Sequence, residues 1–170
     1  MKPAARSAVQ AGVAFVAMEP VAYAAHRWLM HGPGSGWHES HHTPRRGLVE
    51  RNDLYPLTFG TATFFAMAAG ARWARLRPLL AVGAGVTAYG AAYAVVHDGI
   101  VHRRMPLVAR LARRSALAQR LARAHRRHHV DSAEPFGMLL PLGQAWRDAA
   151  AGPAGELDHG ARAGTGVRGA

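Results

Sequence analysis

The sequence predicts an all-α fold: an integral membrane helical bundle with about three transmembrane helices and a histidine-rich site on its cytoplasmic side. Three observations carry that expectation. Apolar residues gather into three stretches of bilayer length, ten histidines stand in two matched clusters at the ends of two of them, and arginine crowds the segments holding those histidines. A mean hydropathy of −0.07 would suit a soluble chain, but that average hides the segregation.

The first stretch, Ser7 to Ala25, is apolar apart from Gln10 and Glu19, follows Lys2 and Arg6, and carries Pro20, which is expected to kink it. A cleavable secretory signal is the competing reading, since the small residues around Ala22 to Ala25 mimic a cleavage site. Against it, a histidine motif begins at His26 with no linker, so cleavage would detach the span from the motif it carries. The second and third stretches, Leu54 to Ala71 and Pro78 to Val96, contain no charge, and the short link Arg72 to Arg77 predicts a tight helical hairpin. Gly83, Gly85, Gly90 and Ala91 suit close helix packing in lipid better than the core of a soluble protein.

Three spans place the segments after the first and third on one side of the membrane, and these hold the ten motif histidines. Sixteen of the twenty-one Lys and Arg fall there, against five (Lys2, Arg6, Arg72, Arg75 and Arg77) on the other. The positive-inside rule makes that side cytoplasmic, and the expected location is a bacterial inner membrane. The same placement accounts for the net charge of +11 without nucleic acid, for which no recognition motif is present. Between Arg103 and Arg127 nine arginines flank a stripe of Leu107, Val108, Leu111, Leu117, Ala118 and Leu121. That pattern reads as a basic helix in the headgroup region or as a solvated charged helix. With 170 residues there is room for one folded unit, residues 1–150, and the Gly- and Ala-rich 151–170 are expected to be a disordered tail.

The chain has no cysteine, so any metal must be held by nitrogen and oxygen. The first cluster comprises His26, His31, His38, His41 and His42, and the second His97, His102, His125, His128 and His129. Each is a pair spaced by five followed by a triplet spaced by three and one. Helical spacing puts a triplet on one face. A spacing of five points the second ring of a pair about 140° away on an ideal α-helix, which a frayed end or a π-bulge would correct. A lone histidine is usually structural, but ten crowded imidazoles without metal would repel on partial protonation. Ten exceed the four ligands of a structural zinc site and suffice for two ions. Imidazole suits iron, zinc and copper alike, and iron is favoured because a lipid setting suits oxygen chemistry.

At these residues the chain resembles the β-carotene hydroxylases, within the membrane fatty-acid hydroxylase and sterol desaturase superfamily. The resemblance spans roughly residues 13 to 145 and rests on AHRWLMHG, GWHESHH followed by PRRG, ERNDLY, AYAVVHDGIVHRR, AHRRHH and FGMLL. It implies a di-iron hydroxylase with the ten motif histidines as ligands and His159 outside the set. It further implies two non-haem irons, O2 as oxidant, electrons from a ferredoxin-type donor, and oxygen insertion at ring carbon 3 of a carotenoid end group. Acids near the ligands are candidates to accept the other imidazole N–H: Glu39, Asp53, Asp98 and Asp131 by sequence proximity, and Glu19 because an acid within a span tends to face the bundle interior. A fatty-acyl, sphingolipid or sterol hydroxylase or desaturase is the rival among enzymes. A membrane metal carrier is the rival outside them, though its spans should carry more ionisable residues than Glu19.

Overall fold

The computed structural model describes residues 1–43, 49–132, 134–140 and 147. The tail assigned to 151–170, with His159, lies outside the described residues. Helix α1 (Pro3–Ala24) starts with proline at its first turn, where a missing N–H is harmless, and runs through Pro20. It continues as a π-helical turn, Ala25–Met30. Short α2 (Ser35–His42) follows, then a 3₁₀ turn at Arg51–Asp53 leading into α3 (Leu54–Arg72). A second 3₁₀ turn, Ala74–Leu76, makes the hairpin to α4 (Pro78–Ala94), which continues as a π-helical turn at Val95–Val101. Helices α5 (Pro106–Ala112) and α6 (Ala116–Asp131) complete an architecture with no strand among the described residues.

Helix α4 is the centre, with α1 and α3 packed along it. Small residues permit the close approach. A Cβ at Gly85 would overlap the Ala11 carbonyl of α1, one at Gly83 would overlap Met67 of α3, and one at Gly70 would press on the hairpin at Leu76 and Leu79. Gly90 differs from the sequence expectation: a Cβ there meets nothing within 4 Å, so helix packing does not explain it.

Among the described residues two helices are long and apolar enough to cross a bilayer, Pro3–Met30 and Pro78–Val101. The outward faces of the bundle are apolar, with Val13 and Val16 of α1 and Phe64 and Phe65 of α3 each more than 60% exposed. Such a surface suits lipid and is costly in water. Helix α3 has the length, but Tyr55, Pro56 and three threonines leave it less apolar than the other two.

The basic segment is two helices rather than one. The break falls at Arg113 to Ser115, where the Ser115 hydroxyl caps α6 by accepting from the Ala118 N–H at 3.2 Å. The inner face of α6 is Ala118, Ala122, Ala124, His125 and His128. Those small side chains let it lie against the π turn of α4, where Ala122 joins Val101 and Met138 in a buried cluster.

Candidate metal centre

Both histidine pairs lie on the π-helical turns. The His31 N–H donates to the His26 carbonyl at 3.1 Å, and the His102 N–H to the His97 carbonyl at 2.9 Å. An i to i+5 bond is the signature of the wider turn, and it returns the fifth residue to the face of the first. The misdirection expected of a straight helix is thereby removed twice.

The ten rings meet at the end of α1 and α4 and sort into two groups. His26, His31, His38, His42 and His128 offer nitrogens within 4.8 Å of one another, as do His41, His97, His102 and His125. His129 stands beside the second group, its Nε2 2.9 Å from that of His125. The single-face expectation for each triplet needs correction, because neighbouring residues on an α-helix point about 100° apart. His38 and His42 serve one group while His41 turns to the other, and His128 likewise parts from His125 and His129.

Four of the rings hold an outward nitrogen against an acceptor. His26 Nδ1–H donates to the Phe136 carbonyl at 2.9 Å, and His38 Nδ1–H to Asn52 Oδ1 at 2.8 Å. His41 Nδ1–H donates to Glu50 Oε2 at 2.9 Å, and His97 Nδ1–H to Asp98 Oδ1 at 3.1 Å. A neutral imidazole that donates through Nδ1 has only a lone pair at Nε2. Yet His26 Nε2 faces His38 Nε2 at 3.1 Å, and His41 Nε2 faces His97 Nε2 at 2.9 Å. Two lone pairs at that separation repel unless a cation lies between them. Ligands at right angles around an ion with metal–nitrogen bonds of about 2.1 Å stand about 3.0 Å apart, which matches both contacts. His102 Nε2 and His125 Nδ1 are also buried with no hydrogen-bond partner. The donor set fits metal ions, one in each group.

Protonation is no substitute for the cation. Burial, the largest cause in each case, pushes His38 down to about 3, His41 to about 4 and His102 to about 3. It also lowers His42, His125 and His129. At neutral pH the lone pairs are therefore available.

The acids proposed from sequence divide. Asp98 meets His97 directly. Asp53 reaches the rings only through others: it takes both Arg104 N–H groups at 2.7 and 2.8 Å, Arg104 also reaches Asp98 at 3.3 Å, and Asp53 Oδ2 accepts the Glu50 N–H at 2.9 Å. The Arg104 hydrogen bonds hold the Asp53 carboxyl below its ordinary value. Glu39 is exposed, and Asp131 is exposed beside Arg127 at 3.9 Å, so neither sits among the rings. Glu19 faces inward but touches no histidine. Its Oε1 accepts the N–H groups of Met138, Leu139 and Leu140 at 2.9, 3.1 and 2.9 Å, and its Oε2 accepts the Tyr89 hydroxyl at 2.7 Å. It thereby fixes the segment that supplies the Phe136 carbonyl to His26. A Cβ at Gly137 would come 2.8 Å from Glu19 Oε1, so a larger residue there would displace the carboxylate from this position.

Sequence reasoning missed Glu50, Asn52, the Phe136 carbonyl and Arg104. The first three lie in ERNDLY and FGMLL, segments without histidine, and Arg104 ends AYAVVHDGIVHRR. Nothing local in these motifs marks their residues as partners of distant rings.

Comparison with known proteins adds independent evidence. The fatty acid hydroxylase family model matches residues 11–146. A β-carotene hydroxylase of Pantoea ananas is 43% identical over 131 residues, covering 75% of this chain and 73% of that protein. One of Pseudescherichia vulneris is 46% identical over 115 residues, covering 68% and 63%. The chloroplastic β-carotene 3-hydroxylase 2 of Arabidopsis thaliana is 40% identical over 131 residues, covering 75% of this chain and 43% of that protein. No solved structure matches.

Proposed function

The chain belongs to the fatty acid hydroxylase family, and on that footing we propose that it hydroxylates β-carotene at ring carbon 3 of each β-ionone end group. The singly hydroxylated pigment, β-cryptoxanthin, would precede the doubly hydroxylated zeaxanthin. The observation that carries this reading is the facing of bare imidazole lone pairs in two groups, in a chain whose curated relatives bear the name β-carotene hydroxylase.

In this reading the catalytic unit is residues 1–150 and the groups hold two iron ions. His26, His31, His38, His42 and His128 hold one, and His41, His97, His102, His125 and His129 the other. The metal pair, when bound, supplies oxygen activation and the attack on an unactivated carbon–hydrogen bond, which no side chain can perform. The protein fixes the tautomers. Phe136, Asn52, Glu50 and Asp98 take the Nδ1 protons and leave each Nε2 directed inward. One oxygen atom enters the product and the other leaves as water, so each turnover takes two electrons and two protons, with a ferredoxin-type protein as donor. Three spans, α3 being the additional one, place the histidines and the C terminus on the cytoplasmic side of an inner membrane. The arginine distribution supports that orientation.

The test is expression in a host that accumulates β-carotene, under ¹⁸O₂. Label is expected in the first and then the second hydroxyl, with iron chelation stopping the reaction while the protein stays in the membrane. Hydroxylated fatty acids or sterols beside unchanged β-carotene would keep the metal assignment and sink the substrate. Metal binding with no oxygenated product, even with reductase and ferredoxin supplied, would favour a carrier.

A further inference from the structure

Four described glycines, Gly12, Gly36, Gly60 and Gly90, would carry a Cβ with nothing within 4 Å. Two of them, Gly60 of α3 and Gly90 of α4, contrast with their neighbours Gly70, Gly83 and Gly85, where a Cβ would come within 3.0 Å of an adjacent residue. Gly60 and Gly90 line the same cavity. Helices α1 and α3 each pack along α4 and scarcely touch one another, so a trough runs between them with α4 as its floor. Its walls include Met18 and Val21 of α1 and Phe59 of α3, and its inner end is closed by His38 and His97, one ring from each group. Tyr93 stacks on His97 at 5.2 Å, so that end combines aromatic rings with the polar Asn52, Asp53 and Asp98 that also line it. Along α4 the trough extends from Val86 to His97, which at 1.5 Å per residue is roughly 16 Å, about half the bilayer core. Its open side lies among outward-facing apolar helices, so it communicates with lipid.

We propose that this trough admits a ring-ended polyene end-first from the bilayer interior, and that Gly60 and Gly90 set the width of end group it accepts. The inference rests on the carotenoid reading above. Three features commit the trough to that occupant: an apolar lining open to lipid, a depth that leaves the rest of a long substrate in the hydrocarbon, and an inner end touching both histidine groups. Absent side chains at the two open glycines leave the room a ring needs and a straight chain does not. Both positions are helical with negative φ, so a larger residue introduces no backbone strain and raises helix propensity.

The experiment compares Gly60→Leu and Gly90→Leu with Gly12→Leu. A Cβ at Gly12 also meets nothing within 4 Å, but that glycine lies outside the trough. Hydroxylated pigment per unit protein is expected to fall at least about tenfold in the two trough variants, the scale set by one misplaced apolar group in a fitted pocket, and to stay unchanged in Gly12→Leu. Gly60→Ala and Gly90→Ala should fall between. A second readout does not depend on turnover: β-carotene co-purifying with the metal-loaded protein, followed by visible absorbance, should drop in the leucine variants while metal per protein and melting in detergent hold. Wild-type levels of bound pigment and product in both leucine variants overturn the trough and leave the carotenoid reading intact. A wild-type protein that neither binds nor hydroxylates β-carotene overturns both.

Discussion

The two histidine groups are built alike and held differently. Each takes a π-turn pair and the i, i+4 members of a triplet from one cluster, and one further ring, His128 or His41, from the other. The difference lies behind the rings. In the first group His26 and His38 donate to a backbone carbonyl and an amide oxygen, both neutral. In the second, His41 and His97 donate to carboxylates. A carboxylate acceptor draws the proton more strongly and makes the opposite nitrogen a better donor to metal. Under the proposed two-ion assignment the two groups would therefore differ in grip, and the second should be the tighter site.

The exchanged rings offer the harshest test. His41→Ala is expected to abolish turnover and remove the ion of the second group, although His41 belongs to the first cluster. His128→Ala should do the reverse. Iron content and the two iron signals in Mössbauer spectra would read this, and full activity in either variant would strike that ring from the ligand set. The same loss of turnover is expected at His42 and His129.

Next in size are the acceptors. Glu50→Gln should weaken metal binding in the second group by about 10- to 100-fold and leave the first unchanged, with Asn52→Ala giving the mirror result. Competition with a graded series of chelators measures both. Equal weakening of the two groups by either substitution would mean that the acceptors do not act on separate ions.

In the unaltered protein the contrast between charged and neutral acceptors is expected to amount to roughly tenfold in affinity between the two proposed ion sites. Chelation should proceed in two phases, the first group emptying before the second. A single phase removing both ions together would break the comparison.

The smallest effect is expected at Glu19, which acts on the first group by fixing the Phe136 segment and reaches the second only through Met138 packed on the π turn of α4. Glu19→Gln keeps an acceptor oxygen but loses the charge, costing about 1–2 kcal/mol in the hydrogen bonds to residues 138–140. Faster amide exchange at Met138 and Leu139, with a several-fold loss of grip that is larger in the first group, is the expected outcome. Unchanged exchange at those amides would show that the segment is held by other contacts.

Several of these features were legible in the residues. The absence of cysteine, the ten histidines in a doubled spacing and the apolar stretches are one-dimensional properties, and they indicate helices and a gathering of imidazole nitrogens, both of which the fold contains. The spacing of five even posed the problem that the π turns solve, since a wider turn is the local way to align residues i and i+5. Tertiary packing alone decided the rest. A helix fixes the angles between His38, His41 and His42, but which group each angle meets depends on where α4 and α6 lie. Glu19 had an inward direction readable from its cost in a span, yet its partners are backbone N–H groups at 138–140, which no sequence pattern marks. The open glycines make the same point: in sequence Gly90 looks like Gly83 and Gly85, and only the gap between α1 and α3 shows that it borders space and they border helices. Local periodicity determines the face on which a residue stands, whereas contacts between segments about a hundred residues apart are set by how whole helices pack.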